Sequence, residues 1–177
     1  MLDLVVFDLE TQRTFDEVGG RQNIHRMGLA AAVTYSAADS TYRHYTEETA
    51  ADLIAQLRAA SLIVGFNLYG FDYKVLAVYT SESLARLPTL DILDSIYRKL
   101  GFRLSLDSLA SATLGVAKSA DGLQAVHWFR EGRLDSVLEY CQQDVELTYR
   151  LYQFGEQNKY VQFRDQRGGL RKVEVGW

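Results

Sequence analysis

The first 45 residues carry three short segments rich in apolar and β-branched side chains. Leu2–Leu9 is apolar on both strand faces, which is typical of a central buried strand. Gly28–Tyr35 and Thr41–Tyr45 have the composition of neighbouring strands that follow across turns. The pattern therefore predicts three strands at the start of the chain.

From Thr46 onward, segments of helical and strand periodicity alternate. The helical segment EETAADLIAQLRAA is followed by a short apolar strand, Ser61–Phe66, and Phe71–Tyr79 is helical again. Because strands alternate with helices, this region predicts an α/β fold.

The rest of the chain is predicted to be mostly helical. A short stretch after Pro88 (TLDIL) is a candidate for a last strand of the sheet. Residues 157–177 return to alternating apolar and polar positions on either side of Gly168 and Gly169, which predicts a terminal β-hairpin. We expect this hairpin to pack as an edge and to have no catalytic role. The predicted helices lie near Leu93–Leu100, Ser105–Leu114 and Leu134–Phe154.

Length and composition are typical of one globular domain. The chain has 177 residues, of which 47% are hydrophobic and 24% charged, and a domain of this size buries roughly 70% of its unfolded surface. It has no repeat, no low-complexity tract and a single proline, so we expect one domain over residues 1–177. The formal charge of −4 argues against broad non-specific attraction to nucleic acid, but it excludes no nucleic-acid substrate.

Cysteine usage and the first residues of the chain favour a cytoplasmic location. A single cysteine, Cys141, excludes an internal disulfide and a CxxC motif and is typical of a reducing environment. The first residues lack the basic start and long apolar stretch of a secretory signal, and no segment approaches the roughly 18 apolar residues of a membrane span. We therefore expect a cytoplasmic protein without a membrane partner.

Two carboxylates end one face of the first strand. Asp8 and Glu10 are two residues apart, so they project from the same face, after Leu4 and Val6. Such a pair is either an ordinary strand end that emerges into solvent or two ligands of a metal ion. The first strand alone does not distinguish these interpretations.

Further acids occur in two later elements. GFNLYGFD places Asn67 at a strand-to-helix junction and Asp72 about one turn into the next helix, and ligand sites in α/β sheets collect at strand ends. In YCQQD, Tyr140 and Asp144 are four residues apart on one face of the last long helix. Together with the pair on the first strand, these acids occur at places that one edge of the sheet can bring together.

Four carboxylates in one pocket would repel one another unless cations neutralised them. Oxygen ligands favour Mg²⁺ or Mn²⁺. Two such ions about 3.5 to 4 Å apart clamp the attacking and leaving oxygens of a phosphoryl transfer, and one of them lowers the pKa of the attacking water. The four acids also account for the net charge, because the 19 that remain of the 23 acidic residues equal the 19 basic ones.

Three motifs, in this order, resemble those of the DEDD exonucleases of the ribonuclease H-like fold. They are D-x-E in VVFDLET, N-x-x-x-F-D in NLYGFD and Y-x-x-x-D in YCQQD. The tyrosine resembles the DEDDy branch, shared with polymerase proofreading domains, whereas position 139, where the other branch has histidine, is Glu139. The resemblance implies a mixed sheet, with three antiparallel strands followed by parallel ones, flanked by helices.

Longer stretches resemble the YprB-type ribonuclease H-like proteins most. They are ETQRTFDEVGG, SLDSLASATLGVAKSADGLQAVHWF and VEVGW, and the similarity spans nearly the whole chain. In such families the domain occurs alone or joined to a helicase, which implies a processing or repair setting and a helicase as a candidate partner. The acidic, glycine-containing excursion Thr14–Asn23 departs from the polymerase proofreaders.

The resemblance implies a role for each matching residue. Asp8, Glu10, Asp72 and Asp144 would hold two Mg²⁺ or Mn²⁺ ions, and the hydroxyl of Tyr140 would orient the attacking water. A phenol with a pKa of about 10 suits hydrogen bonding better than proton abstraction at neutral pH. The implied reaction is hydrolysis of the terminal phosphodiester of single-stranded DNA or RNA, which releases a nucleoside monophosphate from the 3′ end.

Four further residues are candidates for substrate contact. Thr11 and Asn67 could touch the terminal nucleotide, although a threonine after a strand and an asparagine before a helix are usually caps. Phe71 is either a stacking platform or a core residue. Lys118, in a loop after Gly115, could hold phosphate, although a solvated loop lysine is commoner.

Other polar residues are assigned structural roles. Asp91 and Asp107 are explained by local hydrogen bonding or capping. Arg98, Lys99 and Arg103 form a basic cluster that is typical of a solvated helix end. The three histidines have no ligand spacing, so none is assigned to a metal.

Two other functions are consistent with the same residues. The metal centre could cut internally or prefer RNA, since the surrounding walls decide which end and which sugar are accepted. Alternatively, the domain could be a non-catalytic nucleic-acid-binding module of a helicase or repair assembly that keeps the acids as a scaffold. A nucleotide-binding domain is set aside, because no G-x-G-x-x-G or G-x-x-x-x-G-K-[ST] loop follows a strand.

Overall fold

A five-stranded mixed sheet is the centre of the computed structural model, which describes residues 3–116 and 122–177. The strands of this sheet are β1 (Leu4–Thr11), β2 (Leu29–Ser36), β3 (Thr41–Tyr45), β4 (Leu62–Gly65) and β5 (Thr89–Asp91). β1 pairs antiparallel with β2, and β2 antiparallel with β3; on its other side β1 pairs parallel with β4, and β4 parallel with β5. The order is therefore β3-β2-β1-β4-β5, which confirms the expected mixed sheet.

Helices cover both faces of this sheet. Within the described residues the α-helices are α1 (Ala50–Ala59), α2 (Asp72–Leu76), α3 (Ile92–Leu100), α4 (Leu106–Leu114), α5 (Gly122–Arg130) and α6 (Leu134–Asn158). Short 3₁₀ turns lie at Arg21–Arg26, Glu47–Thr49, Ala77–Tyr79 and Leu84–Arg86. None of the helices in these ranges combines the length and the apolar character that a bilayer span requires.

The alternation of side chains along β1 determines what each face of the sheet carries. Val5, Phe7 and Leu9 lie in the core formed with α1 and α2. Val6 lies in the opposite core, together with side chains of α3, α4 and α6. Since successive strand residues point to opposite faces, the two acids that follow at positions 8 and 10 point toward the α6 side.

The C-terminal hairpin is present, but it does not pack as an edge. Its strands, β6 (Tyr160–Arg164) and β7 (Leu170–Glu174), form a separate two-stranded antiparallel sheet. Val161 and Val173 belong to the α6-side core, so apolar contact with helices holds the hairpin instead of pairing with β5. The threonine hydroxyl of Thr113 in α4 donates to the Gln162 carbonyl at 3.0 Å and accepts from its N–H at 2.9 Å.

Candidate active site

Asp8 and Glu10 lie on β1 where it faces α6. Asp8 pairs with Val33 of β2 and Glu10 pairs with Ala31, and the β1–β2 register shifts directly after Glu10. Such irregularities re-aim side chains at the rim of a sheet. Glu10 is 8% exposed, so this strand end is not a solvated terminus.

α6 brings its own polar residues across this face of β1. Tyr140 and Asp144 are 3% and 5% exposed and lie one turn apart. One carboxylate oxygen each of Asp8, Glu10 and Asp144 lie within 4.8 Å of one another. Strand and helix periodicity thus bring together acids that are more than 130 residues apart in the sequence.

Asp72 reaches the same place from the other core. It is the first residue of α2, which corrects the expectation of one turn into the helix, and it is 2% exposed. Burial raises the pKa of the Asp72 carboxyl well above its ordinary value, and the negative charge of Asp8 raises it further. Its Oδ1 atom is buried and has no hydrogen-bond partner among the described residues.

These carboxylates fit a divalent cation. A buried carboxylate oxygen without a donor is unfavourable in the protein alone, and a hard cation supplies the positive partner that it lacks. Three more carboxylates, of Asp8, Glu10 and Asp144, offer oxygen ligands beside it, which is the donor set of Mg²⁺ and Mn²⁺. Three of the expected metal residues, Asp8, Glu10 and Asp144, thus form a group that could bind such an ion.

One cleft of about 520 Å³ joins these residues. Its walls include all four carboxylates and Tyr140, whose ring packs edge to face with Trp128 at a centroid distance of 6.2 Å. Another wall is the start of α5, since a Cβ atom at Gly122 would lie 3.8 Å from Glu10 Oε2. The volume of the cleft is in the range of small-molecule binding sites and is large enough for a nucleotide.

Three of the four candidate substrate residues line this cleft. Thr11 is buried, and its hydroxyl donates to the Arg13 carbonyl at 3.0 Å. Phe71 is half-buried and meets the Phe15 ring edge to face, with centroids 5.7 Å apart. Lys118 lies outside the described residues.

Asn67, the third of these residues, is not the N-cap of α2, because Phe71 occupies that position. It has a positive φ of 70°, and its N–H donates to Asp91 Oδ1 at 2.8 Å. Its side-chain oxygen accepts a hydrogen bond from Arg103 at 2.6 Å.

Asp91 has the local capping role that the sequence predicts, and it makes two long-range hydrogen bonds in addition. Its side chain caps α3 by accepting from the Asp94 N–H, and it also accepts from the N–H groups of Asn67 and Tyr69. Burial raises the pKa of the Asp91 carboxyl, and the three N–H donors partly offset that rise. Asp91 therefore holds the loop between β4 and α2 in place beside the cleft.

Sequence analysis missed several residues of the site. Phe15 and Leu123, which is 67% exposed, add apolar surface to the cleft wall. The thiol of Cys141 donates to the Asp8 carbonyl at 3.2 Å and lies 3.6 Å from Asp8 Oδ2, so it positions this acid. Its place in the helix, three residues before Asp144, could have indicated this. Arg103 is exposed near the end of α3, as expected, but it also donates a hydrogen bond to Asn67 Oδ1.

A family model described as RNase_H superfamily matches residues 5–154. The chain therefore belongs to the RNase H superfamily. No curated protein matches it significantly.

The fold is also similar to a solved structure, that of the family B DNA polymerase from the hyperthermophilic archaeon Pyrobaculum calidifontis. The TM-score is 0.67 at 15% sequence identity, over 88% of this chain and 25% of the polymerase. At this identity the likeness shows the fold alone. The chain spans about a quarter of that polymerase's length.

Proposed function

We propose that this chain is a metal-dependent 3′-5′ exonuclease that hydrolyses the terminal phosphodiester of single-stranded nucleic acid. The observation that carries the proposal is the convergence of four carboxylates and a tyrosine in one cleft, with three of the acids within 4.8 Å. Membership of the RNase H superfamily supports nuclease activity in general. The motif order and Tyr140 support the DEDDy branch, and the longer stretches support the YprB-type relatives.

The chemistry divides between the ions and the side chains. Two Mg²⁺ or Mn²⁺ ions, when bound by Asp8, Glu10, Asp72 and Asp144, would activate water and stabilise the leaving oxygen. Tyr140 would hold the attacking water by a hydrogen bond from its hydroxyl group. Phe15 and Phe71 would hold the terminal base, because their rings form an apolar wall of the cleft.

Replacing Tyr140 by phenylalanine should lower kcat about 10- to 100-fold and leave KM nearly unchanged. The hydroxyl would contribute a hydrogen bond of about 1.5 to 3 kcal/mol to the ordered water, whereas the ring packing against Trp128 remains. Steady-state kinetics on a labelled oligonucleotide measure both constants. A kcat equal to that of the wild type would contradict the proposed water-orienting role of Tyr140.

Replacing Phe71 by alanine should raise KM and spare the chemistry. Loss of one stacking surface costs about 1 to 3 kcal/mol per base, which corresponds to a 5- to 100-fold higher KM, while metal binding should not change. The matched control is Val78→Ala, which removes an apolar side chain that is 55% exposed and outside the cleft. Equal KM values for the two variants would count against a stacking role.

A metal panel on labelled DNA and RNA tests the proposed activity. Linear strands labelled at the 5′ end should shorten one nucleotide at a time with Mg²⁺ or Mn²⁺, while circular strands should persist. Cleavage of circles would support the endonucleolytic alternative. Binding of 3′ ends without turnover under any divalent ion would support a non-catalytic module of a helicase or repair assembly instead.

A further inference from the structure

A second groove lies between the loop that follows α3 and the C-terminal hairpin. Its volume is about 710 Å³. None of the described residues that line it also lines the carboxylate cleft. The residues that matter to its character are Phe102, Leu104, Phe163, Arg164, Arg167 and Arg171.

An exposed aromatic ring lies at the mouth of this groove. Phe102 is 47% exposed. The other phenylalanines of the chain pack in the cores or line the carboxylate cleft. The Phe102 ring meets the buried Phe163 edge to face, with centroids 5.9 Å apart. One side of Phe102 is thus fixed by the protein, and the exposed side can accept the face of an unpaired base.

The groove is positively charged in a chain whose net charge is −4. It contains three arginines and one acid, Asp165, whose carboxylate binds Arg171 Nε at 2.8 Å. Arg164 donates to the Gly168 carbonyl, and the side chain of Arg167 meets no acid among the described residues. This surplus of guanidinium groups is complementary to a phosphate backbone.

The groove adjoins a hollow beside the candidate active site through one shared wall residue, Leu104. A hollow of about 400 Å³ is lined by Asp8, Asp144, Asn67, Arg103 and Leu104. Leu104 lines the second groove as well, and Phe102 is only two residues away. The loop at 102–104 therefore carries both the exposed aromatic ring of the groove and a wall of the hollow beside the carboxylates.

The groove has rigid walls. Two hydrogen bonds between Thr113 and Gln162 fix the hairpin to α4, and Lys99 Nζ donates to the Glu174 carbonyl at 2.7 Å. Arg103 is held by Asn67. The hairpin wall of the groove is therefore fixed before a strand binds, whereas the exposed side chains of Arg164 and Arg167 become ordered on binding.

We propose that this groove holds the single-stranded part of the substrate that precedes the terminal nucleotide. Arg164 and Arg167 in the groove and Arg103 in the adjoining hollow bind its phosphates, and Phe102 stacks on one of its bases. The inference rests on the proposed exonuclease activity, because the strand enters the groove from the carboxylate cleft. It gives the hairpin a role in substrate binding, whereas the sequence predicted only an edge.

Binding of a fluorescent 12-mer and a 3-mer, measured by anisotropy in the Asp8→Asn background, tests the groove without turnover. Adding Phe102→Ala should weaken 12-mer binding about 5- to 100-fold and leave 3-mer binding unchanged. Adding Arg164→Ala with Arg167→Ala should reduce the slope of log K against log salt by about 1.4, since each phosphate contact on a single strand contributes about 0.7. Binding of DNA and RNA 12-mers is measured separately.

Arg86→Ala is the control for loss of an arginine outside the groove, because Arg86 is exposed and its neighbour Leu84 belongs to the core on the opposite face of the sheet. It should leave the salt slope within the range of the parent. If the groove variants bind the 12-mer as the parent does, the groove proposal is wrong even though the wild type cleaves. If the wild type cleaves nothing while the groove variants still lose binding, the exonuclease proposal fails and the groove remains.

Discussion

Replacing Asp8 or Asp144 by asparagine should reduce Mn²⁺-dependent cleavage about a thousandfold or more. Each change removes a negative oxygen from the group that lies within 4.8 Å, and the ions that we propose these acids hold would contribute several kcal/mol to the transition state. Each 1.36 kcal/mol corresponds to a factor of ten in rate. Single-turnover assays with purified variants measure this loss.

Asp52→Asn is the matched control for these variants, because it makes the same chemical change at an exposed position of α1. Its activity should equal that of the wild type. The circular dichroism spectra and melting temperatures of all three variants show whether the fold survives. Undiminished cleavage by folded Asp8→Asn or Asp144→Asn would refute the metal assignment.

Replacing Asp72 by asparagine should abolish cleavage and at the same time stabilise the metal-free protein. The carboxylate is 2% exposed and one of its oxygens lacks a hydrogen-bond partner among the described residues. An amide removes the buried charge and the repulsion by Asp8. We expect a free energy of unfolding about 0.5 to 2 kcal/mol higher than that of the wild type at pH 8 in a chelator.

The gain in stability of Asp72→Asn over the wild type should increase with pH. Burial and the charges of Asp8 and Asp91 raise the pKa of Asp72 above its unfolded value. The contribution of such a group to stability is fully present below the unfolded pKa and is lost as the pH rises through the folded pKa. The variant and the wild type should therefore be equally stable near pH 3 and should diverge as the pH rises.

With Mn²⁺ present, the wild type should be more stable than Asp72→Asn. A hundredfold excess of Mn²⁺ over its dissociation constant adds about 2.7 kcal/mol to a protein that binds it only when folded, and Asp72→Asn should gain less than the wild type. Chemical denaturation with and without Mn²⁺ gives the four free energies. A variant that is less stable than the wild type in chelator at pH 8 would contradict the account of Asp72.

Local periodicity was enough to predict the part of the site that lies on regular elements. The two-residue repeat of β1 places Asp8 and Glu10 on one face, and the four-residue spacing in α6 does the same for Tyr140 and Asp144. Periodicity also predicted three early strands, an α/β fold and the terminal hairpin, whose turn is marked by glycines, whereas the mixed order of the sheet was predicted from the family resemblance.

The features that sequence analysis missed depend on contacts between distant residues. Arg103 and Asn67 are 36 residues apart, and Thr113 and Gln162, whose bonds fix the hairpin, are 49 apart. No local pattern specifies either pair. The helix α5 was also missed; it begins at a glycine, and only Ala125 and Val126 of its residues are buried.

Anomalous diffraction from crystals soaked in Mn²⁺ and a nucleoside monophosphate tests the central claim most directly. The proposed function predicts two anomalous peaks among the carboxylates of Asp8, Glu10, Asp72 and Asp144, and the loss of at least one peak in Asp8→Asn crystals. Mn²⁺ peaks confined to other parts of the surface, with this cleft free of anomalous signal, would contradict a two-metal nuclease site.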